Sequence, residues 1–429
     1  MARGLRAAVA CVLGVLVLGV GATGCGEEKR SAVENGPDTL TIYSSLPLQG
    51  PDRSRARDMV NAIKLALREA GGKVGPFTIN YVALDAAKPG AKTWTGDKVL
   101  DNARQAVRDL NAIAYIGDRD SAATALSVPL TNEGHILQVS PSSTYDGLTR
   151  ASRRQGEPDR FYPSGERTFG RVVPADHVQA SALIGYMKVL GARSLALLAD
   201  REIYGGGIAD EVEKAAEAQG MTVYDRGRID ALKDDLSGPA KQVAETGADA
   251  FLFAGTTDTG AAAIFRAVAA AAPRMRLFGP AAIADQAFAD ALPAAVQRRM
   301  HVTSPALPPR LLPSAARAFR DRFRATFGRS PAPEALQAYE AANAVLHSIR
   351  AAGEEGNDRR AVTQAFFSIR DRESVLGRYS IDSFGDTSRR DTPETVSVAR
   401  SSCSTGCSRC AAESGYAPAW LRPNRTISA

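Results

Sequence analysis

The chain has few residues that could hold a metal ion or a redox centre, and their spacing limits them further. Only 4 of its 429 residues are histidine and 5 are cysteine. The histidines are scattered, and no two of them have the spacing of metal ligands. They are His135, His177, His301 and His347. The sequence therefore predicts no histidine-based metal site and no cofactor.

Concentrated charge of one sign is also absent. The 53 basic and 47 acidic side chains leave a net charge of +6, and the basic residues are not gathered into one block. Recognition of nucleic acid requires Lys and Arg clustered on one face. Nucleic acid is therefore not a favoured partner.

Motifs for catalysis are missing as well. The nucleophile elbow G-x-S-x-G of Ser-His-Asp hydrolases does not occur. The loop around Tyr204 and the glycines 205–207 follows a predicted strand, but it has neither G-x-G-x-x-G nor a P-loop lysine. We therefore expect no enzyme activity, although an exported α/β hydrolase remains an alternative.

The amino terminus has the features of an export signal. Arg3 and Arg6 precede the apolar run AAVACVLGVLVLGV, which is shorter than the roughly 20 residues that span a bilayer. The following ATGC, ending at Cys25, resembles a bacterial lipobox, with alanine in place of its usual leucine. We predict a signal peptide over 1–24, then a lipidated Cys25 and a flexible tether over 25–38. The alternative is an ordinary signal peptide. Both interpretations place the mature protein outside the cytoplasmic membrane. Lipidation would anchor it to the outer face of that membrane.

From residue 39 onward, short β-rich runs alternate with amphipathic helical stretches. This β-α-β-α order predicts parallel sheets with helices on both faces. A polar loop over 147–172 separates two such series, and a proline-rich stretch beginning at HVTSPALPPRLLP predicts a crossover back to the first. The expected fold is α/β, with two Rossmann-like lobes linked by a hinge and a ligand cleft between them. We assign 39–173 plus 306–375 to lobe 1 and 174–305 plus 376–387 to lobe 2.

Ligands of open α/β sheets bind beyond the carboxyl ends of the strands, at helix N-termini. The loops at those positions are rich in Ser, Thr, Gly and Asp. They are residues 44–50, 117–122, 140–144, 200–207, 255–260 and 279–285. Two lobes that face each other with such loops form a cleft with converging hydroxyl and amide groups.

Four segments carry a family resemblance that covers residues 39–387. They are GDRDSAAT, QVSPSST, ADREIYGGGIADEV and GRYSIDSFGD. In their order and spacing they resemble the solute-binding proteins of branched-chain amino acid ABC transporters, which have the type I periplasmic-binding fold. The resemblance implies a monomer that closes around a small polar ligand and delivers it to the membrane subunits of an ABC permease.

The resemblance also implies the residues that contact the ligand. They are Ser121, Ala122, Ser142, Ser143, Thr144, Tyr204, Thr257 and Asp258. Helix-start amides and hydroxyls suit a carboxylate, and a carbonyl and an aromatic face suit an ammonium. Ser121, Ser142 and Thr144 could instead serve only as helix caps and turn residues.

One position departs from the family pattern. Amino-acid binders of the family have an acidic residue just after the Gly-Pro pair at 279–280, where this chain has Ala281. An ammonium would then need Asp258 or Asp285 as its counter-charge. An amino acid, an amide or a small organic acid all remain open as ligands. So does a second function, a sensor of the same fold that signals to a membrane receptor.

The carboxyl-terminal segment 388–429 departs from the family altogether. Cys403, Cys407 and Cys410 have the C-x-x-x-C-x-x-C spacing of radical-SAM enzymes. Two features argue against such an enzyme. Radical-SAM enzymes carry their cysteine loop early in the fold, and an exported protein meets oxidising conditions. The composition, rich in Ser, Arg and Cys, is what a GC-rich gene yields out of frame, so we predict a frameshift. A disulfide between two of the cysteines is an alternative, and a zinc site is less favoured because no histidine lies nearby.

Overall fold

The computed structural model describes residues 38–303 and 312–389, with the backbone of two short strands after residue 395. The predicted signal peptide, Cys25, most of the tether and the three tail cysteines lie outside the described residues, as does most of the proline-rich crossover. In the described part of the chain, no helix combines the length and the apolar character needed to cross a bilayer.

The first series of elements alternates strands and helices. Its strands are Thr39–Leu46 (β1), Lys73–Val74 (β2), Phe77–Asp85 (β3), Ala112–Gly117 (β4), Leu137–Ser140 (β5) and Phe169–Arg171 (β6). Its helices are Arg53–Glu69 (α1), Gly96–Arg108 (α2) and Ser121–Glu133 (α3).

The second series repeats the alternation. Its helices are Asp176–Val189 (α4), Ile203–Ala218 (α5), Ser237–Glu245 (α6), Ala261–Ala271 (α7), Gln286–Asp290 (α8) and Ala294–Gln297 (α9). Its strands are Ser194–Ala199 (β7), Thr222–Arg228 (β8), Ala250–Ala254 (β9), Arg276–Gly279 (β10) and Met300–Val302 (β11).

Further elements follow the crossover. The helices are Ser314–Phe327 (α10), Ala335–Ala352 (α11) and Arg359–Phe367 (α12). The strands are Arg372–Ser374 (β12), Gly377–Tyr379 (β13), Val396–Val398 (β14) and Leu421–Pro423 (β15).

Two sheets define two lobes. Lobe 1 is built on the sheet β2-β3-β1-β4-β5-β6, whose strands are parallel except for β2. Lobe 2 is built on the sheet β15-β14-β11-β10-β9-β7-β8, which is parallel from β11 to β8. The central strands β4 and β9 are buried along their whole length, as parallel strands covered by helices on both faces must be. The α/β fold class expected from the sequence is confirmed.

The helices α10 and α11 pack on lobe 1. Phe319 and Phe323 of α10 and Ala338 and Val345 of α11 share one buried core with Ile42 of β1. The two phenylalanines are four residues apart and the two α11 residues are seven apart, so each helix has one apolar stripe to bury. The chain therefore leaves lobe 1 for lobe 2 and returns.

Three segments differ from the sequence-based expectations. Residues 376–387 were assigned to lobe 2, yet Tyr379 and Ile381 are buried in the core of lobe 1. The segment 147–172, predicted to be a loop, contains the fully buried strand β6 near its end. The first two residues of the predicted crossover, 301 and 302, belong to strand β11. Each strand has only three residues, too few for a periodicity to show.

The tail contributes backbone to lobe 2. Strand β14 pairs antiparallel with β11, and β15 pairs antiparallel with β14. The sequence is expected to depart from the family at residue 388, so both strands lie beyond the point where the resemblance is expected to end.

Candidate functional site

A cleft of about 380 Å³ is lined by residues of both lobes. Lobe 1 contributes the N-terminal ends of α1, α3 and α11 and the loop that follows β5. Lobe 2 contributes the start of α5 and the loops that follow β9 and β10. These are the carboxyl ends of strands and the beginnings of helices, where the α/β fold places ligands.

Six of the eight predicted ligand-binding residues line this cleft. They are Ser121, Ser142, Thr144, Tyr204, Thr257 and Asp258. Ala122 and Ser143 are not among the lining residues. The backbone N–H of Ala122 donates to the side chain of Asp120 at 2.9 Å, which caps α3. The Ser143 hydroxyl is fully buried, 3.1 Å from the carbonyl of Asp118.

The Ser121 hydroxyl oxygen holds the loop after β5 in place. It accepts the backbone N–H groups of Thr144 at 3.2 Å and Tyr145 at 3.3 Å. Both oxygen lone pairs are thereby engaged, so the hydroxyl hydrogen is what Ser121 can offer to a ligand. The Ser142 hydroxyl donates to the carbonyl of Arg119 at 2.7 Å, which joins the same two loops. Ser121 therefore both lines the cleft and holds this loop, whereas the cap of α3 is Asp120.

Tyr204 opens α5 at the cleft wall and is only 8% exposed. Burial raises its pKa well above the usual value, so the phenol stays neutral. The following glycines serve close packing, because a Cβ at Gly205 would collide with the carboxylate of Asp200 and one at Gly207 with the ring of Tyr145. The glycine run is thus explained by close packing without a bound phosphate.

Two carboxylates of lobe 2 line the cleft. Asp285 caps α8 through the backbone N–H of Phe288 at 2.7 Å, and it accepts the hydroxyl hydrogen of Thr257. Asp258 is exposed, and it makes no hydrogen bond or ion pair within the described ranges 38–303 and 312–389. Desolvation in the cleft raises the pKa of Asp258, and repulsion from Asp52 raises it further.

An ion-pair network forms the lobe 1 wall, and sequence reasoning missed it. Arg55 pairs with Glu334, and Arg119 bridges the Asp52 carboxylate at 2.7 Å and the Glu334 carboxylate at 3.6 Å. Burial alone would raise the pKa of Glu334, but attraction to Arg55 and then to Arg119 lowers it to about 2. Arg119 lies in a loop that the sequence singled out. Glu334 comes from a distant helix, and no local pattern connects the two.

The described residues contain no group of three or more His, Cys, Asp or Glu side chains arranged to hold a metal ion. The cleft instead combines hydroxyls, carboxylates and guanidiniums around a volume suited to a small polar molecule.

Comparisons with known proteins agree with this architecture. Leu/Ile/Val-binding protein homolog 1 of Brucella suis biovar 1 (strain 1330) is 24% identical over 355 residues, which is 81% of this chain and 87% of that protein. The leucine-binding protein LivK of Thermotoga maritima MSB8 superposes with a TM-score of 0.69 at 20% identity, covering 83% of this chain and 94% of that one. A solute-binding protein of an ABC transporter from R. palustris, in complex with benzoate, gives 0.64 at 19% identity, covering 83% and 91%.

A family model also matches most of the chain. The model described as "periplasmic binding protein" matches residues 39–395, a range that includes both sheets up to the last residue before β14. The match extends past residue 387, where the sequence resemblance was expected to end. The chain therefore belongs to the periplasmic binding protein family and has its two-lobed fold.

Proposed function

We propose that the protein is the extracytoplasmic solute receptor of an ABC transporter, which captures a small polar ligand by closing its two lobes. The observation that carries this proposal is the cleft, because its lining residues come from both lobes. A ligand that touches both walls binds the closed form better than the open form. Binding and closure are then one equilibrium.

The connections between the lobes suit such a motion. Residues 172–175 join β6 of lobe 1 to α4 of lobe 2, and residues beyond Asp386 lead to β14. The fully buried guanidinium of Arg171 binds the carboxylate of Asp386 at 2.8 Å and the carbonyl of Tyr145 at 2.9 Å. The Arg171–Asp386 bond ties two of the three chain crossings together at their lobe 1 ends, so we infer a hinge just beyond these two residues.

The anchor and the downstream partner are part of the proposal. Lipidation of Cys25 would hold the receptor at the outer face of the cytoplasmic membrane, and the closed form would dock on the permease. The polar segment between Cys25 and β1 would then act as a tether. Fractionation of the wild-type and Cys25→Ala proteins tests the anchor: the proposal requires the wild type in the membrane fraction and the variant released from it.

The tail requires its own test. We propose that 388–429 is read out of frame in part, since its composition breaks from the preceding family pattern. Resequencing the end of the gene tests this directly. An uninterrupted frame encoding the same residues in close relatives would contradict it.

A thermal-shift screen tests the receptor function. Amino acids, amides, amines and small organic acids are added one at a time to the purified mature protein. A receptor should melt at a higher temperature with one narrow class of these solutes, because only the folded state binds. Consumption of a stabilising solute by the protein would contradict the receptor proposal and favour an enzyme.

A further inference from the structure

The lobe 2 wall of the cleft presents two carboxylates and the Tyr204 phenol, while its threonine hydroxyls are already engaged. The Thr257 hydroxyl donates to Asp285, and the Thr256 hydroxyl lies 3.3 Å from the hydroxyl oxygen of Thr259. The backbone N–H of Ala281 donates to the side-chain oxygen of Gln179 at 2.6 Å. A ligand group that faces the carboxylates of Asp258 and Asp285 must bring its own hydrogens, because an ionised carboxylate only accepts hydrogen bonds.

Carboxylates outnumber guanidiniums around the cleft. Among the described residues, five acidic and three arginine side chains line it. The acidic residues are Asp52, Asp120, Asp258, Asp285 and Glu334, and the basic residues are Arg55, Arg119 and Arg389.

This excess is concentrated near lobe 2. Arg55 and Arg119 are paired with Asp52 and Glu334 on the lobe 1 wall, and the attraction of Arg119 offsets only part of the effects that raise the pKa of Asp258. Asp258 has no ion pair within the part of the chain that the structure describes. Its raised pKa has desolvation as the larger cause and repulsion from Asp52 as the second. A bound cation would relieve that repulsion.

The opposite wall disfavours an aliphatic ligand. The Arg55–Glu334–Arg119 network on this wall is charged. A leucine side chain closing over it would displace water from the charged groups and could not replace the hydrogen bonds that the water makes. The relatives are named for leucine, isoleucine and valine. Such aliphatic side chains require apolar walls, whereas the walls of this cleft carry charged groups.

We propose that the ligand is a small organic cation, whose ammonium or guanidinium group binds between Asp258 and Asp285 while Ser121 donates a hydrogen bond to an acceptor at the other end of the ligand. This inference rests on the proposed receptor function. It makes Asp258 the residue that determines specificity, in the role that Ala281 cannot fill.

Calorimetric titration of the mature protein tests the proposal with four probes. Agmatine and L-arginine carry a guanidinium and a net positive charge. L-leucine is a zwitterion without net charge, and benzoate is an anion. At least one of the first pair should bind, and more tightly than either of the second pair. Asp258→Asn should weaken that binding about 10- to 100-fold, the range for a charge-assisted hydrogen bond. Asp225→Asn makes the same charge change on the exposed strand β8 and should leave binding unchanged.

Two results overturn the cation proposal while leaving the receptor function intact. One is tighter binding of L-leucine or benzoate than of both guanidinium probes. The other is an Asp258→Asn variant that binds agmatine or L-arginine as the wild type does. Absence of binding by all four probes also overturns the cation proposal, and the wider thermal-shift screen then decides separately whether the protein is a receptor at all.

Discussion

The ring of Tyr145 in lobe 1 lies directly against Gly207 of α5 in lobe 2. Tyr145 belongs to a buried cluster with Val128 and Phe169, so the ring cannot simply move away. A Cβ at Gly207 would lie well inside van der Waals contact with two ring carbons. The lobes thus meet at a surface that tolerates no side chain at this position.

Gly207→Ala should therefore hold the lobes apart. The added methyl group would collide with Tyr145 only when the lobes approach, so the variant should fold but close less readily and bind ligand more weakly, by roughly 10-fold. Its radius of gyration with saturating ligand should exceed that of the wild type. Gly238→Ala in α6 is the matched control, because a Cβ there meets nothing within 4 Å. Equal compaction of the two variants would show that the Tyr145 contact does not limit closure.

The salt bridge between Arg171 and Asp386 should make the free energy of unfolding decrease at acidic pH. Burial would raise the pKa of Asp386, but the attraction of Arg171 and hydrogen bonds from Arg150 and Arg171 lower it to about 2, below its value in the unfolded chain. Its ionisation therefore stabilises the fold above the unfolded pKa, and this contribution disappears as the pH falls through the folded value. We expect the loss of roughly 2 kcal/mol between about pH 5 and pH 2.

Urea unfolding of the wild type and of Asp386→Asn across that pH range measures the effect. The variant leaves the buried guanidinium without its counter-charge, so it should be less stable than the wild type at neutral pH by about 3 kcal/mol. The difference between the two proteins should shrink as the pH falls. A difference that is the same at every pH would contradict the ion pair.

Glu334→Gln should destabilise lobe 1. The Glu334 carboxylate neutralises Arg55 and Arg119, and its loss leaves two partly buried guanidiniums with Asp52 as their remaining acidic neighbour in the described network. The expected cost is about 2–3 kcal/mol, below that of a fully buried pair. Glu373→Gln, in an exposed pair with Arg378, is the control and should change stability little. Chemical denaturation compares them, and equal stability of both variants would contradict a structural role for the network.

Alanine variants of Ser121 and Ser143 should distinguish an effect on ligand binding from an effect on stability. Both hydroxyls are buried and hydrogen-bonded, but only Ser121 lines the cleft. Replacing either with alanine should cost about 1–3 kcal/mol of stability, because Ser121→Ala leaves two backbone N–H groups unpaired and Ser143→Ala removes buried hydrogen bonds to the Asp118 carbonyl and the Thr124 hydroxyl. Only Ser121→Ala should also weaken ligand binding, measured by titration of the folded proteins. An equal loss of affinity in both variants would argue against a direct contact by Ser121.

Binding of a cation should weaken in acid. The pKa of Asp258 is raised, so its carboxylate begins to protonate at a higher pH than an ordinary aspartate, and the neutral form attracts a cation poorly. The charged groups that act on it are Asp52, Arg119, Asp285 and Asp120. The affinity of the wild type for the guanidinium probe that it binds should fall with decreasing pH, and that of Asp258→Asn should fall less. Parallel pH profiles would exclude Asp258 as the titrating group.

Local sequence patterns predicted much of this molecule. Alternating apolar runs and amphipathic stretches determine the strands and helices around Ile42 and Phe319, and the loops after buried strands indicate where Ser121 and Tyr204 lie. Three-residue strands such as Phe169–Arg171 were missed because they are too short to show a period. The placement of Tyr379 and the pairing of Glu334 with Arg119 depend on contacts between distant parts of the chain. No local propensity encodes such contacts.

Small-angle X-ray scattering of the mature protein, with and without the solute that most raises its melting temperature, tests the central claim most directly. A two-lobed receptor whose cleft is lined by Ser121 on one side and Asp258 on the other should become more compact when the solute binds. An unchanged radius of gyration at saturating solute would contradict capture by closure of the lobes.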